Sequence, residues 1–222
     1  MLIRLAEQAD SEAVRRIYNQ EVRQSAATFD LVERTPEDQE AWLSERSGAF
    51  SVLVAELDNL VVGFAALSPY KERAAYRTTV ENSVYVDPEW RGRGVADGLL
   101  VELLVVARTS GFHVVVARIG GGNEASIALH EKHGFTRVGT EREVGRKFGR
   151  WQDVVVMQAL LEERGPEPGA PVIASQVGRG GFEPPKAMPT GLQPVPFGRS
   201  GTDPADREDS RRLAPPPPGS TG

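Results

Sequence analysis

The segment Val84-Tyr-Val-Asp-Pro-Glu-Trp-Arg-Gly-Arg-Gly-Val-Ala96 holds the residue types best spaced for chemistry. A strand-like run ends at Val86, Asp87-Pro88 turns the chain, and Arg91-Gly92-Arg93-Gly94 leads into a helix-like stretch. Glycines at 92 and 94 let backbone N–H groups turn toward an anion with no Cβ in the way. The helix N-terminus adds partial positive charge, and two arginines add more. Such a loop suits a pyrophosphate. The alternative is a tight glycine turn kept soluble by its arginines.

Spacing separates this loop from other motifs. A nucleotide-hydrolysing loop needs G-x-x-x-x-G-K-[ST], which does not occur. The dinucleotide fingerprint G-x-G-x-x-G begins at Gly92 and Gly94 but meets Asp97 where the third glycine belongs. His130-Glu-Lys-His133 lacks the i, i+4 imidazole pair of a zinc helix, because Gly134 stands where the second histidine would. No metal is expected. A chain with no cysteine has no thiolate nucleophile or disulfide, and no G-x-S-x-G elbow supplies a serine.

Several elements must position that loop. Leu2–Leu5 reads as a strand, and Asp10 as the cap of a helix with Ala13, Ile17 and Val22 on its apolar side. Thr35-Pro36 starts a second helix. Residues 51–57 and 60–66 are strand-like about Asp58-Asn59, a two-residue hairpin signal. Residues 77–86 read as a long strand with Val80, Val84 and Val86 on one face and Glu81, Ser83 and Tyr85 on the other. A mostly buried helix over 94–110, a strand over 112–119, a short helix over 123–133 and strands over 135–141 and 151–161 complete the domain. The order β-α-α-β-β-β-α-β-α-β-β predicts a mixed α/β sheet with helices on both faces.

The domain is expected to end at Leu161. Residues 162–222 carry 13 of the 16 prolines and 10 glycines, with 7 basic and 8 acidic side chains. Such a composition cannot offset its chain entropy by burial, so a disordered tail is expected, with a proline-rich ligand as the alternative. Gly181-Phe-Glu-Pro184 can also be encoded by a sequence whose reverse complement looks like a tRNA T-arm, which would make the tail a read-through extension. A formal charge of −5 argues against a nucleic-acid partner. No apolar run resembles a signal segment or a membrane span, and a reducing cytoplasmic setting is expected.

Arg91-x-x-Gly94-x-Ala96 resembles the pyrophosphate loop [RQ]-x-x-G-x-[GA] of the GNAT superfamily of N-acetyltransferases. Asn123-Glu-Ala-Ser-Ile-Ala-Leu-His-Glu-Lys-His-Gly-Phe135 is similar to a second block of that family. Residues 75–86, residues 144–153, Thr28-Phe29 and Met157-Gln158 look like its phosphinothricin and methionine-sulfone acetyltransferase branch. The resemblance covers residues 2–161 and none of the tail. It implies a GNAT-type, mostly antiparallel sheet in which one parallel strand pair splays around acetyl-CoA.

By that resemblance Val84, Tyr85 and Val86 pair with the pantetheine arm. Arg91, Gly92, Arg93, Gly94, Val95, Ala96 and Asp97 hold the pyrophosphate, and Asn123 and Lys132 also contact CoA, although Asn123 could equally cap its helix. Glu81 is the matched general base, through water, for an amine that must lose a proton before it can attack. The alternative is a surface glutamate. His130 stands where many relatives carry a tyrosine that protonates the departing thiolate; the alternative is a packing histidine. Phe29, Tyr76, Arg77 and Lys147 would line the acceptor site, each otherwise a surface or packing residue, and Arg150-Trp151 could belong there or equally be structural, with Trp151 buried where the last strand starts. A small amino acid-like amine is the implied acceptor and a homodimer the implied assembly.

Three positions depart from the pattern: Asp97 beside the phosphate loop, Gly120-Gly121-Gly122 before Asn123, and Asn82 where histidine is frequent. They bear on CoA affinity and acceptor choice. Two rival readings are a CoA-binding sensor without turnover and a GNAT enzyme acting on protein N-termini or polyamines.

Overall fold

The computed structural model describes residues 1–161; the boundary after Leu161 and the proline-rich segment lie outside the described residues. Seven strands form one sheet in the order β1-β2-β3-β4-β5-β7-β6. In chain order the elements are β1 (Leu2–Leu5), α1 (Ser11–Gln24), α2 (Pro36–Ser44), β2 (Leu53–Leu57), β3 (Leu60–Pro69) and β4 (Thr79–Val86). They continue as α3 (Val95–Thr109), β5 (Val114–Gly120), α4 (Glu124–Lys132), β6 (Thr136–Lys147) and β7 (Arg150–Leu160). Every neighbouring pair is antiparallel except β4 and β5, which run parallel.

Strand alternation sorts the core into two layers. On one face Val14, Ile17, Tyr18 and Val22 of α1 and Leu43 of α2 pack on Val54, Phe64 and Ala66. On the other face Leu99, Leu100 and Leu103 of α3 and Ile127 of α4 pack on Leu53, Ala65, Val80, Val86, Val115, Ala117 and Met157. Helices therefore cover both faces, as the sequence pattern predicts.

Local signals account for several joints. Asp58 and Asn59 take φ of 51° and 62°, the left-handed pair a tight hairpin between β2 and β3 requires. Thr35 Oγ1 accepts from Asp38 N–H while Pro36 occupies the first turn of α2. Asp10 behaves otherwise. Its carboxylate accepts from Glu7 N–H at 2.8 Å and from the Arg4 guanidinium at 2.7 and 2.9 Å, so it fastens a short helical turn before α1 rather than capping α1 itself. The strand predicted from Arg77 begins at Thr79, because Ala74–Tyr76 coil into a 3₁₀ turn.

Two ion pairs tie α1 to the loop after β4. Arg16 donates to Asp87 at 2.5 Å, and Arg91 donates to the buried Glu21 carboxylate. Asp87 also accepts from Glu89 N–H at 3.1 Å, closing the turn Pro88–Trp90. On the same side of the sheet the Phe29 ring lies against Gly120 and Gly145. A Cβ at Gly145 would come within 2.2 Å of the ring, so only glycine admits this approach.

Asp87→Ala removes a cap and an ion pair together and should lower unfolding free energy by about 2 kcal/mol, with Asp87→Asn recovering part of it in urea titrations. Gly145→Ala should cost about 1–3 kcal/mol through overpacking, and adding Phe29→Leu to that variant should restore some of the loss.

Candidate active site

β4 and β5 share only three rungs: Thr79 with Val114, Val80 with Val115, and Glu81 with Val116. Beyond Glu81 they part, while β4 stays paired to β3 as far as Val86 and β5 to β7 as far as Gly120. The parted strands bound a cavity of about 270 Å³, lined from β4 by residues 81–85, from β5 by residues 117–120, from the α1–α2 loop by residues 26–29, and by Asn123, Ser126 and His130.

The register decides which backbone groups face the opening. Asp87 N–H donates to Val62 O on β3, so alternation turns the peptide groups of Tyr85, Ser83 and Glu81 toward β3 as well. Those of Val84 and Val86 face the gap left by β5, where Val86 O accepts from Arg91 Nε at 3.3 Å. Tyr85 N–H thus serves the β3 ladder, while Val84 N–H and Val86 N–H face the gap.

Side chains divide between two mouths. Glu81 shares a face with Arg118 and Phe29, the face carrying α1 and α2. Its carboxylate accepts no hydrogen bond from any described residue. Burial pushes the Glu81 carboxyl above its ordinary range, opposed by Arg118 and reinforced by Glu141. Asn82 and His130 meet on the other face, which carries α3 and α4.

His130 is 4% exposed. Its Nδ1 lies 2.7 Å from Ser126 O, an atom that can only accept, so Nδ1 carries the proton. Nε2 then accepts from Asn82 Nδ2 at 2.9 Å. Burial holds the imidazole below its usual pKa, so the neutral ring prevails at neutral pH. Its one proton is committed to Ser126, and delivery to a thiolate would need the disfavoured imidazolium. Asn82 Oδ1 is buried without a partner among the described residues.

The glycine loop has the geometry of an anion cradle. Gly92 and Gly94 take φ of 74° and 79°, and Gly94 precedes α3 with no side chain capping the helix. Gly92, Arg93 and Gly94 donate no backbone hydrogen bond to a described residue, and first-turn N–H groups of α3 have no intrahelical acceptor. Val95 is buried beneath the loop, and Ala96 packs partly against the same core. The Arg93 guanidinium stacks on Trp90 at 4.7 Å. Asp97, the unexpected acid, is neutralised: it accepts from Lys132 Nζ at 2.5 Å and His133 Nε2 at 2.9 Å, which hold its carboxyl below the usual range. Asn123 caps α4 by accepting from Ser126 N–H at 3.1 Å and also lines the cavity.

The acceptor-side expectations divide. Phe29 and Glu81 line the cavity together, but Tyr76 and Arg77 do not. Tyr76 packs edge-on against Tyr70 beneath Lys71, in a surface depression with Glu72 and Arg73. Lys147 is 4% exposed and donates to Thr28 O at 2.7 Å and Glu21 O at 3.5 Å, so its charge braces the loop behind Phe29 rather than meeting a ligand. Trp151 is 61% exposed instead of buried. Sequence reasoning missed Arg118, a lone charge in the apolar run Val114-Val-Val-Ala-Arg-Ile119, which strand alternation could have found. Among the described residues no His, Asp or Glu cluster is positioned for a metal, and no helix is long and apolar enough to cross a membrane.

The chain is similar to the L-methionine sulfoximine/L-methionine sulfone acetyltransferase of Salmonella typhimurium, at 40% identity over 73% of this chain and 96% of that protein. Among solved structures it is similar to a ribosomal-protein-alanine N-acetyltransferase from Brucella melitensis, with 42% identity, TM-score 0.70, and 72% and 100% of the two chains covered. A GNAT superfamily phosphinothricin acetyltransferase from Sinorhizobium meliloti, solved with acetyl-CoA, matches at 35% identity and TM-score 0.71, covering 76% and 94%. Residues 11–135 match the model of the acetyltransferase (GNAT) family. The parted strands, the uncapped glycine cradle and these matches agree: this chain belongs to the GNAT family of acetyltransferases.

Proposed function

We propose that the protein transfers the acetyl group of acetyl-CoA to the amino group of a small amino acid or analogue, of the phosphinothricin, methionine sulfone or methionine sulfoximine type. The observation that carries this reading is the slot beyond Glu81, lined from both sheet faces, with a carboxylate at its throat that no described residue pairs with. Relatives acting on such analogues and a neighbour holding acetyl-CoA support it.

The residues divide the work. Gly92–Asp97 and Arg93 would receive the pyrophosphate of the co-substrate, with Lys132 close by. Val84 and Val86 would pair with the pantetheine arm as an added strand does. Glu81, through a water molecule, would take the first proton from the acceptor ammonium, since a cation has no lone pair to attack with. Val84 N–H or Val86 N–H would hold the negative charge that develops on the thioester oxygen. The nitrogen then sheds its second proton, which neutralises the departing thiolate, so the balance closes without an acid from His130. In this scheme His130 keeps Asn82 in place.

The finer assignments follow the same reading. Val144, Phe148 and Trp151 are exposed on the β6–β7 hairpin, and Leu31 and Val32 on the α1–α2 loop. We assign the exposed apolar residues of the β6–β7 hairpin to a homodimer contact, because three on one hairpin are more than an ordinary surface carries. A cytoplasmic location fits the co-substrate and the absence of cysteine.

Thiol release from acetyl-CoA against methionine sulfone, phosphinothricin, ordinary amino acids, polyamines and an alanine-terminated peptide tests the reading. Turnover confined to the amino acids and analogues supports it. Turnover of the peptide alone would replace it with protein N-terminal acetylation, and CoA binding without any turnover with the sensor reading. Because burial raises the Glu81 carboxyl, kcat/KM should fall on acidification through a pKa above the ordinary glutamate value of 4.5. Glu81→Gln should lose roughly 100-fold or more in kcat and with it that acidic limb. A glutamate raised in the folded state destabilises it as pH rises through that pKa, so the same variant should melt higher at pH 8.

A further inference from the structure

Among the described residues that line the cavity, Arg118 is the one arginine or lysine. Arg118 lies two residues past Val116, the last β5 partner of β4, whose rung is with Glu81. It therefore projects on the Glu81 face at the point where the strands have just parted. Cations expected to meet an acceptor are engaged elsewhere or lie outside the cavity: Lys147 is sealed against Thr28 O, and Arg77 does not line it.

The guanidinium is already oriented. Glu141 on β6 takes one hydrogen from each terminal nitrogen, Nη2 to Oε2 at 2.6 Å and Nη1 to Oε1 at 3.3 Å. The Nε hydrogen and the second hydrogens of Nη1 and Nη2 donate to no described residue. A carboxylate can therefore pair side-on with Nε–H and a terminal N–H without displacing Glu141. Glu141 has a second effect. Its charge also offsets the pull of Arg118 on the Glu81 carboxyl.

An amino acid differs from a simple amine by the carboxylate two bonds from its nitrogen. With the nitrogen brought to Glu81, that carboxylate must sit beside Glu81 on the acceptor face. We propose that Arg118, held by Glu141, is the residue that selects acceptors bearing a carboxylate next to the reacting amine. The proposal rests on the amino acid reading above and names the residue that enforces it.

The test compares methionine sulfone with 3-(methylsulfonyl)propan-1-amine, the same molecule without its carboxylate. Arg118→Gln should lower kcat/KM for methionine sulfone roughly 10- to 100-fold, mainly through KM, and lower it far less for the decarboxylated amine. Arg118→Lys should keep the charge, lose the fork and fall between the two. KM for acetyl-CoA, measured in the same assays, reports whether the slot survives. An equal loss on both amines, or no loss on methionine sulfone, overturns the proposal. Where another amino acid of the panel is turned over and methionine sulfone is not, the same comparison is made with that amino acid and its decarboxylated amine; a wild-type enzyme that acetylates no amino acid or analogue overturns the amino acid reading itself, and this proposal with it.

Discussion

Three rungs of parallel pairing hold the two halves of the sheet together where function sits. β4 is committed to β3 from Val80 to Val86, and β5 to β7 over its whole length, so each strand belongs to a firmly paired ribbon. The ribbons meet only from Thr79 to Glu81 and from Val114 to Val116. Twisted strands diverge when further pairing does not restrain them, and here the divergence exposes backbone groups inside the protein. Such groups are costly unless something satisfies them. Arg91 satisfies Val86 O, and the rest form an edge suited to an extended, amide-bearing ligand. The slot is thus a defect in pairing that both ribbons keep open.

What prevents the halves from drifting is a set of ties near α1. Arg16 to Asp87 and Arg91 to Glu21 bind that helix to the loop leading into α3, while Lys147 reaches from β6 to Glu21 O and Thr28 O. An exposed ion pair contributes little alone. Glu21 and Asp87 are buried, however, and Glu21 takes a hydrogen bond from Ser25 as well. Burying Lys147 costs solvation and lowers its pKa, a cost met by the carbonyls it holds. The phosphate cradle and the wall carrying Phe29 are fixed to the same helix.

The legible and illegible parts of the sequence differ in range. Asp58-Asn59, Thr35-Pro36 and the glycines at 92 and 94 encode their conformations within a few residues, and the order of elements follows from hydrophobic period. Asp10 looked like a cap because its own neighbourhood permits one, but Arg4 and Glu7 outcompete that role. Lys147 and Trp151 are adjacent to one hairpin turn yet have opposite fates. Which end of β6–β7 is covered depends on Thr28 and Glu21, more than 100 residues away in sequence. Arg118 was hidden similarly: an arginine in an apolar run marks an open face only once β4 is known to leave that face at Glu81.

The same alternation explains how one strand can serve two incompatible environments. Even-numbered residues of β4 face α3 and α4, where Asn82 meets a neutral, buried His130 and Val80 and Val86 are apolar. Odd-numbered residues face α1, where Glu81 lies near Arg118 and Glu141. A thioester is best kept from water and stray charge, whereas an ammonium needs a base and its carboxylate needs a cation. A helix would present both demands on adjoining faces of one cylinder. A strand at a split in the sheet places them on opposite sides, joined only through the gap at Glu81, so the charged chemistry of an acceptor need not disturb the neutral side until the two reacting atoms meet.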